Sequence, residues 1–173
     1  MTTLPSCTDP EDIYVVDTAN MPLMVMAASQ VHAQKLWHRG VMVLVTDSKR
    51  QLVLRHRQQS GVSGLGIWDV MGSGHVGHDE SYTCAVERLL PAELQRLELP
   101  FYLRHVIKGR LGTGKEFTHV HEVRLSRSLE DHLISDHQFL FVDHDELKAL
   151  MTNYPDQLSM NLVHIWSNQL YNF

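Results

Sequence analysis

A chain of 173 residues is long enough for one domain with a real core and too short for two ordinary ones. Its 43% hydrophobic content and mixed charge, net −5 with histidines neutral, exclude a disordered chain. No basic stripe is present, so no nucleic-acid partner is expected. Cys7 lies in a polar N-terminal stretch and Cys84 inside an apolar helical pattern, which suits a reducing cytoplasm and no structural disulfide. Met1 to Asp12 lacks a basic start and an apolar run, so no signal peptide is read there. The apolar run Leu23 to Ala28 is far too short to span a membrane. A cytoplasmic protein with no membrane partner is expected, and its oligomeric state, a homodimer included, stays open.

In chain order, residues 1–11, with Pro5 and Pro10, read as a flexible tail, and residues 12–173 as one domain. Ile13 to Val16 and Leu23 to Met26 read as strands joined by turn residues Thr18, Asn20 and Pro22. Ser29 is placed to cap a short helix ending near Trp37. Val41 to Thr46 and Gln51 to Arg55 predict a hairpin around Asp47, Ser48 and Lys49. A glycine-rich loop follows, with Gly61, Gly64 and Gly66, and then a strand at Trp68 to Met71. Asp79 is placed to cap a helix from Glu80 toward Leu97, which Pro91 should bend or break. Strands are predicted at Leu103 to Leu111 and Lys115 to Leu125, with Gly112 and Gly114 at the turn, and at Phe139 to Val142. Asp143 with Glu146 makes a capping box, and Pro155 should open a C-terminal helix. Strands and helices interleave without regular alternation, which predicts an α+β fold, a mixed β-sheet with helices packed on it.

The stretch Gly74-His-Val-Gly-His-Asp-Glu80-Ser-Tyr-Thr-Cys-Ala-Val-Glu-Arg88-Leu-Leu-Pro-Ala-Glu93-Leu resembles a Nudix box. Gly74, Glu80, Arg88, Leu90 and Glu93 fall in register with that pattern, while Leu89, Ala92 and Gln95 replace hallmark residues. Carboxylates at i, i+3 and i+4 share a helix face and hold hard cations through oxygen. Such cations neutralise a diphosphate and position water for attack. Here the triplet reads Leu89, Ala92 and Glu93, so two of its three ligands are gone.

The flanks Leu36-Trp-His-Arg39, Gln51-Leu-Val-Leu-Arg55-His-Arg57, Ile67-Trp-Asp-Val70 and Asn153-Tyr-Pro-Asp-Gln-Leu158 before Trp166 resemble the isopentenyl diphosphate isomerase-like branch of Nudix proteins. That resemblance covers nearly the whole chain from about Asp12 and implies a Nudix fold, its mixed sheet sandwiched by helices. In the isomerase itself, it further implies, a cysteine and a glutamate transfer protons, and histidines and glutamates hold the metal. By spacing, His75 and His38 fall on two metal histidines and Glu122 on the second of paired glutamates. Val31, with His32 one step out of register, and Val120 fill the other two places, and Ser73 stands where the thiol is expected.

The resemblance and the residues together support three readings. The first is a hydrolase of a diphosphate-linked small molecule, using Mg²⁺ or Mn²⁺. In it Glu93, Arg88 and Glu80 are the catalytic candidates; Glu93, His75, His38 and Glu122 the metal candidates; and Arg55, Arg57 and Gly74 the substrate contacts. The second is an isomerase-like enzyme on an allylic diphosphate. The third is a catalytically silent binding or regulatory module, favoured by Leu89, Ala92 and Pro91. Glu80 can also be a plain first-turn carboxylate, Arg55 and Arg57 plain exposed residues, and Cys84 a packed core thiol. His119 and His121 share one strand face, as solvated residues or a metal pair.

Overall fold

The computed structural model describes residues 9–57, 67–97, 99–109 and 115–170, with only the backbone of His132. Cys7, the loop glycines Gly61, Gly64 and Gly66, and the turn glycines Gly112 and Gly114 lie outside the described residues. The element order is β1 (Asp12–Val16), β2 (Pro22–Ala27), α1 (Ala28–Ala33), β3 (His38–Thr46), β4 (Leu52–Arg57), β5 (Ile67–Asp69), β6 (Gly72–His75) and α2 (Tyr82–Leu89). Then come α3 (Ala92–Gln95), β7 (Phe101–Ile107), β8 (Glu116–Arg124), α4 (Arg127–Ile134), β9 (Phe139–Val142), α5 (His144–Asn153) and α6 (Met160–Ser167). β1 and β2 form a two-stranded antiparallel sheet, and the larger sheet runs β5-β4-β3-β8-β7, with β6 on β3 and β9 on β4. The fold is α+β with a mixed sheet, as the pattern predicted.

The chain packs as two compact units. The first draws its described residues from Met1–Val43, Gly72–Glu98 and Tyr102–His121. The second draws on Leu44–Met71, Leu99–Phe101 and Glu122–Phe173. Within the first, Ile13, Val15 and Val31 form a buried cluster on which Met26, Ala28 and Leu36 pack. β6 lies antiparallel to β3, with Gly40 opposite His75 and Val43 opposite Gly72. Gly72 admits the end of α2, because a Cβ there would sit 2.6 Å from the Leu89 carbonyl oxygen. Within the second, Leu44, Leu54, Leu147, Leu162 and Ile165 are fully buried. The β3–β4 turn works as expected: the Asp47 carboxylate accepts from Lys49 N at 2.9 Å and Gln51 N at 2.7 Å.

Several expectations change. Ser29 sits inside α1, which starts at Ala28 without a side-chain cap and ends at Ala33. The chain then turns through Lys35 at φ 52°, before Trp37 is reached. Ser81, not Asp79, caps α2, its Oγ accepting from Cys84 N at 3.1 Å. Pro91 does break the predicted long helix: α2 stops at Leu89 and α3 begins after the proline. Cys84 is exposed rather than packed, because Ala85 and Val86 take the buried face of α2. The Asp143–Glu146 capping box is present on α5. Pro155 opens only a 3-10 turn, Pro155–Gln157, and the C-terminal helix is capped instead by Ser159. Strand β6 and helix α4 carried no strong local pattern; β6 is two glycines, a serine and a histidine.

Candidate functional site: a histidine cluster beside the box

Three histidines meet in the first unit. His32 comes from α1, His38 from the start of β3 and His75 from the end of β6. One ring nitrogen from each lies within 4.8 Å of the other two. His32 Nε2 and His75 Nε2 are 2.9 Å apart.

The hydrogen-bond partners fix which nitrogens face inward. His38 Nδ1 lies 2.9 Å from the Leu36 carbonyl oxygen, which only accepts, so Nδ1 carries the proton and Nε2 keeps its lone pair. His75 Nδ1 lies 3.3 Å from the Asp9 carboxylate, whose charge favours a proton on Nδ1 although the contact is not a well-formed hydrogen bond. His38 Nε2 is buried with no hydrogen-bond partner among the described residues. Near it, at 3.5 Å, lies Glu116 Oε2, while Glu116 Oε1 accepts from Thr118 Oγ1 at 2.7 Å. Gly40 makes that possible: a Cβ there would collide with the Glu116 carboxylate.

The electrostatics follow from this crowding. Burial disfavours the charged form of His75, yet the Asp9 carboxylate outweighs it and holds the imidazole above its ordinary value. His32 is pushed down, by burial first and then by the charges of His75 and His38. Burial pushes Glu116 up, but the neighbouring His38 ring and the Thr118 hydroxyl prevail and keep its carboxyl below the usual range. Ring nitrogens converging on one point beside an ionised carboxylate need a cation or a shared proton between them.

That donor set fits a divalent ion. Nitrogens about 2.1 Å from one ion lie about 3.4 Å apart, so the observed spacing needs only small rotations. Imidazole suits zinc, copper, iron and nickel, whereas Mg²⁺ prefers an all-oxygen octahedron. The residues present fit a nitrogen-seeking dication better than Mg²⁺.

Three box residues, Gly74, Glu80 and Arg88, lie on β6 or bond toward it. Arg88 Nε and Nη2 grip Glu80 Oε1 and Oε2, both at 2.8 Å, and Nη2 also donates to the His75 carbonyl at 2.7 Å. Glu80 Oε2 accepts in turn from Gly77 N at 3.0 Å. Gly74 lies on β6 next to His75, under Leu89 and the Asp9 carboxylate. Glu93 is exposed on α3, past the break at Pro91, so Leu89, Ala92 and Glu93 no longer share one continuous helix.

The remaining candidates belong to the second unit. Glu122 is buried, its Oε1 accepting from Thr46 Oγ1 at 2.8 Å and Arg124 Nε at 3.0 Å. Arg55 and Arg57 lie on β4, and Arg57 Nε is 3.4 Å from Asp69 Oδ2. In the first unit, His119 stacks on Tyr82, with ring centroids 3.6 Å apart and planes 9° from parallel, and His121 lies 6.1 Å from it.

Sequence reasoning missed Glu116 and Asp9 and set His32 aside. One step along a helix turns about 100°, so Val31 enters the buried cluster with Ile13 while His32 swings to the other histidines. Glu116 had a faint signal: it shares strand parity with Glu122 on β8.

Among known proteins, no family model matches the chain. Its sequence is similar to an isopentenyl-diphosphate Delta-isomerase of Burkholderia multivorans, 25% identical over 154 residues that cover 87% of this chain and 88% of the relative. The structure superposes on DR0079 of Deinococcus radiodurans, described as a hypothetical Nudix protein, with a TM-score of 0.67. That match has 17% identity and covers 91% of this chain and 98% of the other. A mutT/nudix family protein of Listeria innocua gives a TM-score of 0.52 at 16% identity, over 76% and 93% of the two chains. The chain has the Nudix fold, with its box helix divided at Pro91.

Proposed function

We propose that the protein hydrolyses a diphosphate-linked small molecule with a divalent ion held by His32, His38 and His75, Glu116 completing the set. The observation that carries this is the convergence of three imidazole nitrogens within 4.8 Å beside a half-buried carboxylate. A dication bound there supplies charge neutralisation for the diphosphate and a water of lowered pKa. The chain's own residues do the rest. Leu36 O accepts from His38 Nδ1, and the charge of Asp9 favours the Nδ1–H form of His75. Glu116 Oε2, 3.5 Å from His38 Nε2, is assigned to the ligand set, and the attacking water gives up its proton to solvent. A new P–O bond forms to that water, the bridging P–O bond breaks, and the leaving phosphate carries off its electron pair. Glu122 is assigned a structural part through Thr46 and Arg124.

The test is metal content of purified protein, followed by a product screen on nucleoside and non-nucleoside diphosphates with Mn²⁺, Zn²⁺ and Mg²⁺. Retained hydrolysis after His38→Ala at saturating metal would remove this assignment. A second reading, a silent diphosphate-binding module, is favoured by Leu89, which stands buried at a former ligand position. Binding of a diphosphate with no turnover under any of the three metals selects it. The isomerase reading is disfavoured by Ser73, whose hydroxyl is too weak an acid to replace a thiol.

A further inference from the structure

We infer that Asp9 is the positioning residue of the histidine centre, fixing the tautomer and aim of His75, and that the box glycine Gly74 is small in order to admit it. This rests on the proposed metal centre. Asp9 touches His75 twice: Oδ2 lies 3.3 Å from the ring Nδ1, and Oδ1 accepts from the backbone N at 3.1 Å. A Cβ on Gly74 would overlap the Asp9 carboxylate and sit 2.8 Å from Leu89 Cδ2. The segment that brings Asp9 there is anchored along its length. Ala28 N donates to Glu11 O at 2.8 Å, His78 N donates to Asp12 O at 3.3 Å, and Ile13 bridges to Gly77.

A carboxylate on the outer nitrogen of a metal-binding imidazole orients the ring and makes the inner nitrogen a better donor. His38 has a neutral carbonyl in that place, supplied by Leu36. His75 alone of the three receives a full negative charge there among the described residues. Asp9 therefore strengthens one ligand selectively, from a stretch whose sequence looks like a tail.

The experiment is a Co²⁺ titration of the full chain, read by its d–d absorption, for wild type, Asp9→Asn, Glu11→Gln and His38→Ala. Long-range ¹H–¹⁵N correlation of the histidine rings in metal-free protein reports the His75 tautomer, which a merely structural role would not move. Asp9→Asn should weaken Co²⁺ about 10- to 100-fold and lose the single Nδ1–H tautomer of His75. Glu11→Gln, an equal loss of charge two residues away, should match wild type. His38→Ala should abolish binding. If wild type binds Co²⁺ and Asp9→Asn binds equally, the role of Asp9 is refuted while the centre stands. If wild type itself does not bind, the centre and the role of Asp9 fall together.

Discussion

Replacing Arg88 by Lys should loosen β6 and the His75 it carries, although the charge is unchanged. Arg88's charge-assisted bonds include two to Glu80 at 2.8 Å and one to the His75 carbonyl at 2.7 Å. A lysine is a point donor and keeps one of them. Each bond to a charged group contributes about 1.5–3 kcal/mol. The side chains of Arg88 and Glu80 are 24% and 14% exposed, so solvent screening brings the value to the lower end. Two lost bonds then cost about 2–3 kcal/mol. For a chain of this length that is a fall of about 4–12 °C in Tm. The pH dependence adds a second signature. Burial opposes ionisation of Glu80, but Arg88 and the Gly77 N–H prevail, and its carboxyl lies below the usual range. The stabilisation is therefore full above the unfolded value, about 4.3, and is lost as pH falls through the folded one. Urea unfolding of wild type, Arg88→Lys, Glu80→Gln and the double variant at pH 7 and pH 4 measures both. An Arg88→Lys cost below about 0.5 kcal/mol at pH 7, or an unchanged pH slope, would refute the clamp.

The other expectations concern the site and its neighbours. Gly40→Ala should fold yet lose Co²⁺ binding, since its Cβ displaces the Glu116 carboxylate; unchanged absorption would remove Glu116 from the set. Gly72→Ala meets the Leu89 backbone instead and should cost about 1–3 kcal/mol in urea unfolding. Glu93→Gln should lower turnover less than about tenfold, because Glu93 is exposed beyond the helix break; a larger loss returns the chemistry to the box. Burial holds His119 and His121 below the ordinary imidazole range, so their contribution to stability is present above about pH 6.5 and declines as pH falls below it. Replacing both with Gln should flatten the unfolding midpoint between pH 7.5 and 5.5.

What was legible in the sequence was what local chemistry writes down. The apolar run Val41 to Thr46, the Asp47 turn, the Asp143–Glu146 box and the break at Pro91 all act within a few residues, and all are found. The histidine cluster is different in kind. His32, His38 and His75 reach one point only after α1 turns back through Lys35 and β6 pairs with β3. Aligning them by spacing found two and placed Val31 where His32 stands, because a register error of one residue is a rotation of about 100° on a helix. Asp9 was illegible, since a polar stretch with two prolines carries no periodicity to mark a contact with β6.

The changes in the box are mutually consistent. With Leu89 buried under Gly72 and Gly74, a carboxylate at that position would have to lose its hydration without a partner. With Pro91 ending α2, position 92 and Glu93 leave the face that a metal triplet requires. Glu80 and Arg88 are bonded to each other and to the His75 carbonyl. The histidine that β6 presents is then backed by Arg88 on its carbonyl and by Asp9 on its backbone N–H and ring, a support on both sides that solvent-exposed histidines do not require.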